Sequence, residues 1–174
     1  GHFLHFCAFE LGRGPDDGWW VLGDRTQAPS GAGFALENRV ATTRALSDIY
    51  GKMHVHRLAG FFRDFRDALN GIARDADGRV GILTPGIHNE TYFEHAYIAR
   101  YLGFMLLEGE DLVVDNGQVM VRTVSGLKPV SVLWRRLDAG FADPLELRTD
   151  SHIGTPGMAE AIRQGSISVV NALG

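Results

Sequence analysis

The apolar and polar positions along the chain fall into a series of short elements. Residues 2–11 alternate loosely around Phe3, Leu4, Phe6, Ala8 and Phe9, which predicts a strand. Gly12-Arg-Gly-Pro-Asp-Asp-Gly18 is a dense turn signal, and Trp19-Trp-Val-Leu22 reads as a second strand, so the pair predicts a β-hairpin. A proline- and glycine-rich loop follows over residues 27–33. Residues 36–46 and 55–73 carry helical spacing, and the second stretch lines up Leu58, Phe61, Phe62, Phe65 and Leu69 in one apolar stripe. Beyond residue 79 the pattern alternates: strands over 79–84, 104–107, 112–114, 119–122, 129–134 and 167–170, with helices over 91–102 and 157–164. Asp115-Asn-Gly117 is a hairpin turn signal. Thr91 with Glu94 has the spacing of a capping box.

This order predicts an α/β fold: a mostly parallel sheet with flanking helices, preceded by a β-hairpin. The natural division is residues 1–35, a hairpin and loop, and residues 36–174, an α/β domain. A two-stranded hairpin is marginal alone, so it is expected to pack on the rest of the chain or on sequence outside it. Gly1-His2-Phe3 reads as a trimmed start, and the end just after a strand reads as truncated.

Composition narrows the function classes. At 174 residues the chain can bury about 68–70% of its unfolded surface and needs no staples. Net charge is −4 and the isoelectric point is near 6.0, which argues against a dedicated nucleic-acid binder. Only Lys52 and Lys128 are lysine; the other basic residues are arginine, whose fork suits carboxylates and phosphates. Cys7 is the single cysteine, so no internal disulfide forms and a reduced, cytoplasmic setting is expected. No apolar run approaches the roughly 20 residues of a membrane span. Asn89-Glu-Thr91 matches a glycosylation acceptor, discounted without a secretory signal.

Several groups could carry chemistry. Glu10 and Asp24 end neighbouring strands, and two such carboxylates can hold magnesium when a nucleotide phosphate completes the shell; alternatively both face solvent near turns. Asn89, Glu90 and Thr91 open a helix, where backbone N–H groups favour a substrate carboxylate or phosphate, although Glu90 opposes one and capping alone accounts for Asn89 and Thr91. Arg135 and Arg136 close a strand; one could fork onto a carboxylate, or they could pair with Asp138, Asp143 or Glu146. Ser30-Gly-Ala-Gly33 could bring amides to a phosphate or be a plain turn. His54-x-His56, and His2 with His5 and Cys7, have metal-like spacing but no further ligands.

Two longer runs carry a family likeness. Val-Leu-Gly-Asp-Arg-Thr-Gln-Ala-Pro-Ser-Gly-Ala-Gly-Phe-Ala-Leu-Glu-Asn-Arg39 and Leu83-Thr-Pro-Gly-Ile-His-Asn-Glu-Thr-Tyr-Phe-Glu-His-Ala-Tyr-Ile-Ala-Arg-Tyr-Leu-Gly103 resemble the circularly permuted ATP-grasp type 2 proteins. So do Leu-Trp-Arg-Arg-Leu-Asp138 and Asp-Pro-Leu-Glu-Leu-Arg148. The likeness runs from about Phe6 to Gly174, in the family's own order. By architecture the nearest permuted relatives are glutathione and glutathionylspermidine synthetases.

The resemblance implies an ATP- and magnesium-dependent carboxylate–amine ligase, which activates a carboxylate as an acyl phosphate and passes it to an amine. This stretch would hold the metal hairpin, with Glu10 and Asp24 on magnesium, and a pre-ATP-grasp domain that binds substrate. Asn38 and Arg39 would be catalytic contacts. Pro29, Ser30, Gly31, Asn89, Glu90, Arg135 and Arg136 would bind substrate, a small-molecule or peptide carboxylate and an amine. The adenine-clamping lobes would lie outside, so the stretch alone is expected to be inactive. Neither lysine sits in a glycine-rich loop, and no Walker-type motif is present. Family hairpins often end Glu-x-Asn, whereas this one reads Gly23-Asp24-Arg25-Thr26. Arg25 would repel a cation there, which leaves a non-catalytic binding module as the alternative. Exposed strand edges could also promote a homodimer. A dinucleotide-binding fold is the poorer reading, because residues 84–91 lack a Gly-x-Gly-x-x-Gly run.

Overall fold

The computed structural model describes residues 4–73 and 78–173. A two-stranded antiparallel ribbon, β1 (Ala8–Arg13) and β2 (Trp19–Arg25), leads into helix α1 (Ala32–Ala45), the short α2 (Ser47–Tyr50) and α3 (Ala59–Ile72). There follow β3 (Arg79–Leu83), α4 (Tyr92–Leu102) and β4 (Met105–Leu107). Then come β5 (Leu112–Asp115), β6 (Gln118–Thr123), β7 (Gly126–Arg135), α5 (Met158–Arg163) and β8 (Ser168–Val170). The alternation read from the sequence is realised as a mixed α/β fold. Its six-stranded sheet has the order β4-β3-β7-β6-β5, with β8 also on β7. Strands β4, β3, β7 and β8 pair in parallel, while β5 and β6 add antiparallel pairings.

Strand β7 organises the sheet. Its first residues, Gly126 to Pro129, pair with β6, and Val130 to Arg135 run beside β3. Side chains alternate across the pleat, so the two faces bury different sets. Leu83, Leu107, Leu133 and Ile167 pack with Met158 and Ala161 of α5 on one face. Val80, Ile82, Val132 and Trp134 pack with Leu36, Phe62, Leu69, Ile98 and Leu102 of α1, α3 and α4 on the other. Asn116 and Gly117 both adopt positive φ (49° and 77°), the left-handed pair that a two-residue turn between β5 and β6 requires.

The first strand starts later than its alternation predicts, at Ala8 instead of residue 2; residues 1–3 of that expectation lie outside the described residues. Phe6 turns into the core, 5.3 Å from the Phe65 ring and 5.1 Å from Trp134. The backbone there bonds to a side chain instead of a ladder: Asn171 Oδ1 accepts the His5 and Phe6 N–H groups at 2.8 and 2.9 Å. Asn171 Nδ2 donates to the Phe6 and Thr26 carbonyls. One buried amide thus ties both ends of the hairpin to the strand-β8 exit.

Candidate functional site

Strands β3 and β7 are parallel neighbours, so their carboxyl ends lie side by side; the Arg136 N–H donates to the Leu83 carbonyl at 2.7 Å. From β3 the chain leaves through α4 to β4 on one side, packing on one face. From β7 it returns through α5 to β8 on the other side, packing on the opposite face. The connections diverge between these two strands, and such a switch point opens a crevice where α/β sheets bind ligands.

The crevice is built around a buried ion pair. Glu94, on the first turn of α4, is fully buried, and Arg136 faces it at 3.7 Å. Glu94 does not close a capping box with Thr91 on its own helix; α4 has no side-chain cap bond. Its oxygens instead accept the N–H groups of Gly31 (2.7 Å) and Gly33 (3.3 Å) at the start of α1. A carboxylate there satisfies orphan amides and complements the helix dipole. A Cβ on Gly33 would sit 2.6 Å from Glu94 Cγ, so the close approach of the two helices requires glycine.

Arg136 Nη2 donates to the Pro29 carbonyl at 2.6 Å, and the guanidinium lies over the Trp134 ring at 5.1 Å. Its Nε and Nη1 are buried with no hydrogen-bond partner among the described residues. Burial lowers the proton affinity of this guanidinium, and Glu94 counteracts that.

A chain of hydroxyls holds the neighbouring loop. Thr91 O–H donates to Asn89 Oδ1 (2.6 Å), which also accepts the Thr91 N–H (2.9 Å). With its proton so used, Thr91 Oγ1 must accept from His95 Nε2 (3.0 Å), leaving Nδ1 to accept from Thr84 Oγ1 (2.8 Å). His95 is therefore the neutral Nε2–H tautomer. Burial first, and the Arg136 charge second, pull its pKa down to about 4.

Above this network lies a hollow of about 270 Å³, lined among others by Ser30, Asn89, Glu90, Thr91, Arg136 and Asp138. A second hollow of about 340 Å³ adjoins it, sharing Ala28, Ser30 and Asp138 and adding Asp24, Arg25 and Pro29. Of the residues singled out from sequence, Pro29, Ser30, Gly31, Asn89, Glu90 and Arg136 come together at this crevice.

The match to the circularly permuted ATP-grasp type 2 proteins extends over residues 1–174. The chain belongs to that family. It is 44% identical over 174 residues to an uncharacterized protein of Mycobacterium tuberculosis, covering 99% of this chain and 20% of that protein. An uncharacterized protein of Synechocystis is 38% identical, with 100% of this chain and 37% of that protein covered. A second Mycobacterium tuberculosis protein, also uncharacterized, is 35% identical over 98% of this chain and 31% of its own length. The chain thus spans between a fifth and two fifths of these relatives.

ATP-grasp proteins generally bind ATP and magnesium. The hairpin carboxylates do not fit one shared ion. Glu10 stands opposite Gly23 and Asp24 opposite Phe9, so the two side chains leave opposite faces of the ribbon. Glu10 is moreover held by Arg25 in an exposed ion pair. Among the described residues no three His, Cys, Asp or Glu side chains gather as metal ligands, the His54 and His56 pair included; His2 lies outside those residues.

Three further residues fall elsewhere than the family-like motif suggested. Arg135 is buried with its guanidinium bonded to the Leu137, Asn171 and Ala172 carbonyls and to Gln27 Oε1, under the hairpin exit. Of the acids weighed as partners, Asp138 is the one whose charge acts on Arg135, offsetting part of the effect of its burial, whereas Asp143 accepts the Leu145 and Ala159 N–H groups and Glu146 pairs with Arg163. Asn38 is exposed on α1, and Arg39 turns away to Tyr50 and the His56 carbonyl.

Sequence reasoning missed Glu94, His95 and Asn171. Their partners are more than 40 positions away for Glu94 and more than 140 for Asn171, which no local spacing signals. Among the described residues no helix is long and apolar enough to cross a membrane.

Proposed function

We propose that a protein containing this chain is an ATP-dependent carboxylate–amine ligase and that the chain supplies its substrate side. ATP with magnesium, bound by the complete protein, would convert the acid to an acyl phosphate. The observation that carries the reading is Arg136: a buried guanidinium, anchored on one nitrogen, with Nε and Nη1 unpaired at the crevice. Such a guanidinium can donate a charge-assisted bond to a carboxylate or acyl phosphate that enters the crevice. Glu90 and Asp138, lining the same hollow, would receive the amine as its ammonium and hold it near the acyl carbon. Pro29 to Gly31 position Arg136 and Glu94 instead of touching substrate through side chains. ATP-grasp descent, and not the crevice alone, is what favours ligation over simple binding.

The test uses a protein of the relatives' length with Mg-ATP, a panel of carboxylates, and hydroxylamine as the amine surrogate. The reading expects acid-dependent hydroxamate and ADP. It expects Arg136→Met to lower kcat/KM by roughly a hundredfold, as the loss of a buried charge-assisted bond implies, with Arg136→Lys in between. Hydroxamate formation unchanged in Arg136→Met would contradict it.

The disposition of Glu10, Arg25 and Asp24 favours a second reading, a binding module that keeps the crevice and has no metal chemistry on its hairpin. Asp24→Asn separates the two: an enzyme that uses the hairpin loses turnover, while a binding module keeps its affinity.

A further inference from the structure

A third hollow, of about 280 Å³, lies between α1, α2, α3 and the far end of α4. Tyr101 at its wall and Thr91 at the crevice are ten residues apart on one helix, a separation of about 15 Å. Its lining is mainly apolar: Leu36, Val40, Leu58 and Ala59 form the floor, with Tyr50 and Tyr101 at the sides. Around that floor stand Arg39, Arg44 and Arg57. Among the described residues none of these three arginines has a carboxylate in ion-pair reach, although seven other arginines do. Arg39 is fixed by its bonds to Tyr50 Oη (3.3 Å) and the His56 carbonyl (2.7 Å), so its charge is held at the hollow. The hydrogen bond from Arg39 holds the Tyr50 phenol below its ordinary pKa, and the Arg57 charge, which lines the same hollow, acts the same way.

Three guanidinium groups without an ion-pair partner among the described residues thus stand at one apolar hollow, in a chain of net charge −4. An apolar floor with a few convergent polar groups is the make-up of a small-molecule site, and this volume lies just under the usual range of about 300–1,000 Å³. The lining asks for a ligand with one singly charged anionic head and an apolar body, because a multiply charged head would lose more hydration against that floor. We propose that this hollow binds a small aromatic or aliphatic carboxylate, its head on Arg39, Arg44 and Arg57 and its body against Leu36, Val40 and Leu58. The site does not depend on the ligase reading, since it involves neither Arg136 nor the hairpin. It gives Arg39 a binding role of its own, away from the crevice.

The experiment is an amide NMR titration of this chain with phenylacetate, and in parallel with the neutral phenylacetamide. Saturable shifts confined to residues 36–44 and 50–59 and to Tyr101 are expected, with the amide binding roughly tenfold more weakly for want of the charge-assisted bonds. Arg44→Met and Arg57→Met remove cations that hold no side-chain hydrogen bond or ion pair among the described residues, so an amide spectrum unchanged away from the substitution verifies folding; each should weaken phenylacetate severalfold. Equal binding of acid and amide, unchanged affinity in both variants, shifts confined to residues 85–91, or no saturable shift would each overturn the proposal.

Discussion

The hairpin and the sheet end carry the two most family-like stretches of this chain, yet they are built in opposite ways. On the hairpin, Phe9, Leu11, Trp19, Trp20, Val21 and Leu22 are each more than half exposed, and its carboxylates point to opposite faces. At the sheet end, Thr84, Glu94, His95, Arg136 and Asn171 are all buried and cross-linked. A motif on the hairpin is therefore a surface pattern within this chain, whereas the motif around residues 83–103 is a tertiary structure. Glu94 shows the difference best: its oxygens bind the start of α1, and α1 in turn holds the Pro29 carbonyl against Arg136.

Substitutions should separate these regions by size of effect. Glu94→Ala leaves Arg136 without its charge partner and uncaps α1, and should cost about 3–5 kcal/mol in urea unfolding, as breaking a buried pair does. A loss under 1 kcal/mol would mean that the pair is not the keystone of the crevice.

Acid should act next. His95 is held neutral with its pKa at about 4, against 6.5 when unfolded. Between those values the unfolded chain binds a proton that the folded chain does not, so stability is retained above pH 6.5 and falls as pH drops toward 4. The loss is on the order of 3 kcal/mol. Urea midpoints compared with those of His95→Gln isolate it: the variant should lose less over that window.

Asn171→Ala removes four bonds to the backbone of residues 5, 6 and 26, at a cost of about 2 kcal/mol. Amide exchange at His5 and Phe6 should quicken while β3 and β7 stay protected. Smallest of all, Arg25→Ala breaks an exposed pair with Glu10 and should change stability by less than about 1 kcal/mol. A larger loss there would erase the contrast between hairpin and sheet end.

Local signals carried the fold well. The Asn116–Gly117 turn, the Gly103 helix stop at φ 74° and the order of strands and helices after residue 79 are all legible, because each rests on neighbouring residues. The antiparallel β5–β6 extension changes the balance of the sheet without changing its parallel centre. The crevice was legible where its residues follow a strand, as Asn89, Glu90 and Arg136 do. It was not legible where one spacing serves two structures: Thr91-x-x-Glu94 reads as a capping box, while Glu94 caps another helix 61 to 63 positions away. Arg135 and Arg136 illustrate the same limit. Adjacent at the end of β7, they face opposite sides of the sheet, so one is enclosed by carbonyls and the other keeps Nε and Nη1 without a hydrogen-bond partner among the described residues.

The most direct measurement of the central claim is a titration of the Arg136 Nε–H resonance with acetyl phosphate, a minimal acyl phosphate. If the crevice receives an acyl phosphate, that resonance and the amides of residues 89–91 shift together and saturate, and Arg136→Lys abolishes the saturation at those amides. If Arg136 stays unmoved while shifts gather at Arg39, Arg44 and Arg57, or if no shift saturates, the crevice is not the substrate site and the account fails.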